Sequence, residues 1–265
     1  MCNARLLGTF IVAIFLAGCA TVPITGRKQL SLVSYSQVLA LSNDSYREVI
    51  SQSKLSRDSQ KVQMVLGVGK TIASSAEEFM RDSSMESELK NYDWEFNLID
   101  DDEVINAFCM PGGKIGVYTG ILPVARDKNG LAAVLAHEVA HAIANHGAER
   151  MSQLLLVELG QASLSAALKN SPEKTAQLWM LAYGAGVQVG ALLPYSRTHE
   201  READRIGLFI MARAGYDPRE AISFWERMSK QGGSRPPEFL STHPDVENRI
   251  KAMREELPEA LKYYK

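Results

Sequence analysis

Cysteine is scarce in this 265-residue chain, and its three residues offer no disulfide framework. Cys2 falls in a leader-like stretch and Cys19 ends it. Cys109 is left without a partner and reads as a small residue in an apolar strand rather than a nucleophile. Lys- or Arg-rich runs, low-complexity tracts and internal repeats are also missing, and the formal net charge is -2. That balance exerts no general pull on nucleic acid, so none is expected as a partner. Gly184, Gly186 and Gly190 lie in a helical stretch with no strand before them, so no nucleotide is expected either. Long apolar runs are lacking as well. Residues 6–17 are too few for a typical membrane span, and the uncharged run within 178–193 is short and holds Gln188.

The N-terminus does carry a recognisable order: Arg5, the apolar run, then the small residues Ala17 and Gly18 before Cys19. The tetrapeptide Leu16-Ala17-Gly18-Cys19 resembles a bacterial lipoprotein box. The resemblance implies a signal peptide over 1–18, acylation of Cys19, attachment to a membrane through that lipid, and a tether over 19–30. An uncleaved signal anchor is the alternative. Residue 20 is Ala rather than the Asp linked to inner-membrane retention. By analogy with Gram-negative lipoproteins, the expected address is the bacterial periplasm, at the outer membrane.

Residues 31–265 are expected to form one domain. Helical spacing runs over 34–50, 60–80 and 131–146, then onward from Glu149, again from Ser171-Pro172-Glu173, over 197–214, over 217–228 and from Pro244. Alternation predicts strands over 94–99, 104–110 and 114–118, with Pro111-Gly112-Gly113 as turn chemistry. Asp127 or Asn129 can open the helix over 131–146, and Gly147 can close it. Helices, a small sheet, then helices argue for an α+β domain.

The chemistry concentrates in His137-Glu138-Val139-Ala140-His141. On a helix His137 and His141 share a face and can grip one metal ion. Glu138, about 100° further round, can reach a water at that ion and take its proton. Zinc, one ion per chain, is the expected cofactor. A third ligand is needed. The spacing that would supply another His fails, because Ala144 and Gly147 occupy the required positions, and His146 reads as a surface residue at a helix end. Glu200 fits better: Asp204 lies one turn on and can hold a ligating His by its other ring nitrogen. Glu202 reads as part of a solvated charged face.

Three ordered blocks carry a family resemblance: His137 to His141; Leu193-Pro-Tyr-Ser-Arg-Thr-His-Glu-Arg-Glu-Ala-Asp204; and Phe239-Leu-Ser-Thr-His-Pro244. Over roughly residues 94–250 the chain resembles the zinc metallopeptidases that include the CAAX prenyl proteases, HtpX and BepA. Its second and third blocks are most like the BepA branch and a mitochondrial inner-membrane stress protease. The resemblance implies a mostly helical, thermolysin-like (gluzincin) fold with a small mixed β-sheet. It assigns His137, His141 and Glu200 to zinc, Glu138 as general base and Asp204 as outer support. Asn106, Ala107 and Phe108 fall on the edge strand that holds an extended substrate. His243 is implied as a fourth ligand in the water position or as an oxyanion donor, and Arg249 as a further oxyanion candidate. A His before Pro could also merely cap the chain, and Arg249 could merely pair with a surface acid such as Glu247. The implied substrates are misfolded or misassembled envelope proteins. The rival is a proteolytically latent chaperone or assembly factor on the same zinc fold.

Overall fold

In a computed structural model, residues 19–22, 25–169, 173, 193–231 and 237–265 are described. The lipoprotein box before Cys19, the glycine-bearing stretch over 178–190 and most of the 231–237 loop lie outside them.

The helix that matters most is also the most buried. Asp127 caps it, accepting from the backbone N–H groups of Asn129 and Gly130 at 2.8 and 3.1 Å. Call the helices α1 (Tyr35–Gln52), α2 (Ser59–Asp82), α3 (Leu122–Ala125) and then this one, α4 (Lys128–Ile143). Leu131, Val134, Leu135, Val139 and Ile143 give α4 apolar side chains all round, as a helix enclosed by others requires. It stops at Ile143, three residues short of expectation. Asn145 takes the left-handed turn (φ 57°), not Gly147, which lies in the next helix, α5 (His146–Ala167).

α6 (Leu193–Arg213) crosses α4 at close range. A side chain on Gly207 would sit 3.3 Å from the Ala136 carbonyl and the His137 amide, so the two backbones pack through a glycine. Glu200, two turns before Gly207, is thereby set opposite the histidines of α4. α7 (Arg219–Ser229), the short α8 (Glu238–Thr242) and α9 (Val246–Ala260) complete that side. Trp225 and Phe239 stack at 5.3 Å beneath the site.

On the other side, β3 (Glu95–Ile99) runs parallel to β5 (Lys114–Tyr118), which pairs antiparallel with β4 (Ala107–Met110). The order β3-β5-β4 leaves β4 as an outer strand. The turn into β5 uses the positive φ of Gly112 and Gly113 (87° and 84°), a region a Cβ penalises. Ile115, Val117, Phe96 and Leu98 face a core shared with α2 and α4. The fold is thus mostly helical with a small mixed sheet, as expected. Among the described residues, no helix is long and apolar enough to cross a membrane.

The segment read as a tether is built into the domain. β1 (Cys19–Thr21) pairs antiparallel with β2 (Lys28–Leu30), and Val22 between them is fully buried.

Candidate metal centre

Helical spacing puts His137 and His141 on one face of α4, and α6 brings Glu200 to meet them. Nε2 of His137 lies 3.1 Å from Nε2 of His141 and 3.3 Å from Glu200 Oε2. His141 Nε2 lies 3.4 Å from Glu200 Oε1. His243, at the end of α8, adds its Nδ1 at 3.2 Å from His137 Nε2 and 3.0 Å from Glu200 Oε2. Tetrahedral bonds of about 2.0–2.1 Å space their ligand atoms about 3.3 Å apart. The four side chains therefore fit zinc in donor type and spacing, all ligand atoms lying within 4.8 Å of one another.

The outer contacts sharpen this fit. His137 turns Nδ1 to Asp204, 3.0 Å away, so its proton sits there and its Nε2 lone pair faces the cluster. Asp204 is gripped by Arg249 through Nε and Nη2, at 2.7 and 2.6 Å. Burial would raise the Asp204 carboxyl, but the Arg249 charge outweighs it and holds the group at about 2. Burial works against Glu200 as well, and the surrounding imidazoles still hold it well below the usual carboxylate range.

Arg249 turns its donors to the ligand cluster rather than to the cleft. Its remaining Nη1 lies 3.0 Å from Glu200 Oε2 and donates to the His243 carbonyl, and its guanidinium lies over the Trp225 ring at 3.8 Å. Those donors are spent behind the cluster, away from the cleft, and no surface acid competes for them because Arg249 is buried.

Glu138 accepts a hydrogen bond at one oxygen and faces His243 with the other. Oε2 accepts from the Cys109 N–H at 3.2 Å, whereas Oε1 is buried without a hydrogen bond. His243 Nε2 stands 3.2 Å from that oxygen, close enough for an ion pair. Burial alone would raise Glu138, yet the neighbouring His243 charge holds it low and ionised. Burial would likewise lower His243, but Glu138 and Glu200 push it up to about 9. Ala107, Phe108 and Cys109 of the outer strand, and Asn106 just before it rather than on it, line the same cleft with Glu138, His141 and His243. Cys109 is half-buried there; burial and the Glu138 charge push its thiol up, which suits an inert residue.

Five residues at this centre were not foreseen. His146 is buried, not a surface residue, with Nδ1 2.9 Å from His141 Nδ1. Glu202 is buried too, not on a solvated face, and accepts from His146 Nε2 at 3.0 Å. Arg27 bridges Glu202 to Glu149, and His199 Nε2 lies 2.9 Å from Glu149. One signal was available: the chain has five histidines, and all five meet here.

This cluster predicts acid sensitivity. Burial holds His146 down at about 3 despite Glu202. Glu149 and Glu202 sit at about 2, because bonds from the histidines and Arg27 outweigh the burial that would raise them. All three have depressed folded values, so each contributes stability above its unfolded value and loses it as pH falls toward the folded one. Chelator-treated protein should lose stability from about pH 6.5 down to about pH 2. Urea midpoints across that range measure this, and a midpoint that holds or rises on acidification would contradict it.

Residues 70–257 match a family model described as Peptidase family M48. The mitochondrial metalloendopeptidase OMA1 of Schizosaccharomyces pombe is 37% identical over 241 residues, which is 90% of this chain and 66% of that protein. The human mitochondrial metalloendopeptidase OMA1 is 32% identical over 261 residues, 96% of this chain and 49% of that one. The beta-barrel assembly-enhancing protease of Escherichia coli is 30% identical over 239 residues, 87% and 46%. This chain thus spans between about half and two thirds of these relatives. The expected address, the bacterial periplasm at the outer membrane, is overturned by the relatives of 37% and 32% identity, which are mitochondrial proteins.

Proposed function

The chain belongs to peptidase family M48 and is a zinc metalloendopeptidase, and from that premise we propose that it cleaves misfolded or misassembled proteins presented as extended segments and that His243 holds it latent. The observation that carries this is the convergence of two imidazole lone pairs and the Glu200 carboxylate, with one Glu138 oxygen left unbonded beside them.

Zinc, held by His137, His141 and Glu200, supplies Lewis-acid polarisation of a water and of the scissile carbonyl. The remaining work falls to the chain. Glu138 Oε1 takes the proton of the attacking water and hands it to the leaving amine, while the Cys109 N–H keeps the carboxylate aimed. β4, with one side unpaired by any described strand, offers backbone hydrogen bonds to an extended segment and reads side chains little. That suits a substrate defined by being unfolded. Cleavage of an unfolded reporter with its folded form spared is the expected result; equal rates on both would overturn the substrate reading.

His243 stands between Glu138 and the cluster, with a nitrogen toward each, where the attacking water has to stand. The same closure favours the second reading, a latent chaperone or assembly factor, which the His243 variant discussed below separates.

The ligand assignment has its own test. Glu200→Ala should lose its zinc on dialysis against a mild chelator, while wild type keeps about one ion per chain. Metal analysis decides, and tightly held zinc in the variant would move the third ligand elsewhere. Attachment to a membrane through a lipid on Cys19 rests on the Leu16-Ala17-Gly18-Cys19 box. Intact mass should show an acylated Cys19 as the mature N-terminus; a retained, unmodified Met1 would refute it.

A further inference from the structure

Two of the ligating imidazoles need support for their second ring nitrogen, and the chain provides it in two ways. His137 leans on Asp204, which Arg249 of α9 holds. Among the described residues, His141 has no carboxylate at its Nδ1. It has His146 Nδ1, 2.9 Å away.

The protons of that second arm can be placed. A neutral His141 that gives its Nε2 lone pair to a cation carries its hydrogen on Nδ1. That hydrogen is donated to His146 Nδ1, which must then be the acceptor. His146 keeps its own hydrogen on Nε2 and donates it to Glu202 Oε2 at 3.0 Å. Glu202 in turn accepts from Arg27 Nε at 2.9 Å and from the Thr25 hydroxyl. The other face of the Arg27 guanidinium makes a fork to Glu149, at 3.0 and 2.7 Å. Glu149 accepts from His199 Nε2, and the His199 ring stacks flat on His146, 4.4 Å between centroids and 14° between planes. Every link has one donor and one acceptor, and the ring that receives the His141 proton is fixed in orientation from two sides.

Arg27 belongs to neither α4 nor α6. It sits on the β1–β2 hairpin, at the segment that reads from sequence as a tether. We propose that Arg27, Glu202 and His146 are positioning residues for the zinc ligand His141, so that docking of the N-terminal hairpin sets how firmly the metal is held. This rests on the zinc reading above and adds a second outer arm to it, one that runs from the metal centre to the N-terminal end of the described fold.

The test uses the full chain and two readouts other than activity: competition for zinc with a chromophoric chelator, and the visible spectrum of the cobalt(II)-substituted protein. Outer partners of ligating histidines typically govern about 10–100-fold in metal affinity. Arg27→Ala, Glu202→Gln and His146→Ala should each weaken zinc about tenfold or more and shift the cobalt bands. Arg27→Ala combined with Glu202→Gln should bind no worse than Glu202→Gln alone, because both cut one chain. Arg27→Lys should recover part of the loss, its charge restored but not its fork. Lys28→Ala, on the same hairpin with its Nζ on Thr21, should behave as wild type. Wild-type zinc affinity and an unshifted cobalt spectrum in Arg27→Ala would overturn the proposal. If that variant does not fold, the same result in Glu202→Gln would overturn it. A wild-type chain that binds no zinc at all would instead refute the metal reading on which the proposal stands.

Discussion

Glu138→Gln should cut peptide hydrolysis by about 10³-fold while leaving one zinc per chain in place. The substitution is nearly isosteric, and Glu138 is not among the four side chains whose ligand atoms converge. The amide oxygen can still accept from the Cys109 N–H, so the local fold survives. What disappears is the free oxygen. The amide nitrogen that replaces Oε1 is a donor with no usable lone pair, and it cannot take a proton from water or return one to an amine. Burial makes the effect large, because the enclosed cleft offers no dissolved base to stand in for Glu138. Rates on an unfolded reporter, taken with zinc content in the wild-type and His243→Ala backgrounds, decide the matter. Unchanged cleavage would remove Glu138 from the mechanism. Loss of zinc would make it a structural support of the ligands instead.

The parts of this centre that were legible in the sequence are those whose partners lie within one helix. His137 and His141, or Glu200 and Asp204, are four residues apart, and helical geometry alone puts each pair on one face. Convergence of the two helices came from the family resemblance, and the structure attributes it to something more local: Gly207 lets α6 approach the α4 backbone. His146 and Glu202 were misread for a shared reason. Glu202 sits in a charged stretch and His146 at a helix start, and each is enclosed by partners far away in sequence, Arg27 against Glu202 and Glu202 with His199 against His146, which no periodicity announces. A charge run on a helix is a solvated face unless something distant neutralises it. Arg249 was ambiguous for the same reason. In sequence it could pair with Glu247 or another surface acid, and only the tertiary fold shows it closed against Asp204 and stacked on Trp225. Sheet order escaped as well: β3 and β5 pair directly in parallel although β4 separates them in sequence, a crossover that alternation cannot reveal.

His243→Ala should raise hydrolysis of an unfolded reporter about tenfold or more, with zinc retained by the three remaining ligands. The sign follows from where the ring stands. Its Nδ1 shares the ligand cluster, 3.2 Å from His137 Nε2, and its Nε2 faces the Glu138 oxygen that a catalytic base must turn to water. On the proposed reading, one imidazole covers both the metal position left for water and the base. The segment that carries it is fastened from below: Phe239 is fully buried against Trp225, and Arg249 donates to the His243 carbonyl. Opening must break a contact with Arg249, which also secures Asp204 and hence His137, so moving the plug tugs on the metal centre itself. A closed-to-open preference of about 1.4 kcal/mol already corresponds to a tenfold latency, and removing the ring removes that preference. The competing role, donation to the oxyanion, predicts the opposite sign. A fall of about 10²-fold with zinc unchanged would establish His243 as a transition-state donor rather than a plug. If neither wild type nor His243→Ala cleaves an unfolded reporter while both hold zinc, the latent assembly factor becomes the better account of this chain. The zinc would then hold the binding fold together rather than act on a peptide bond.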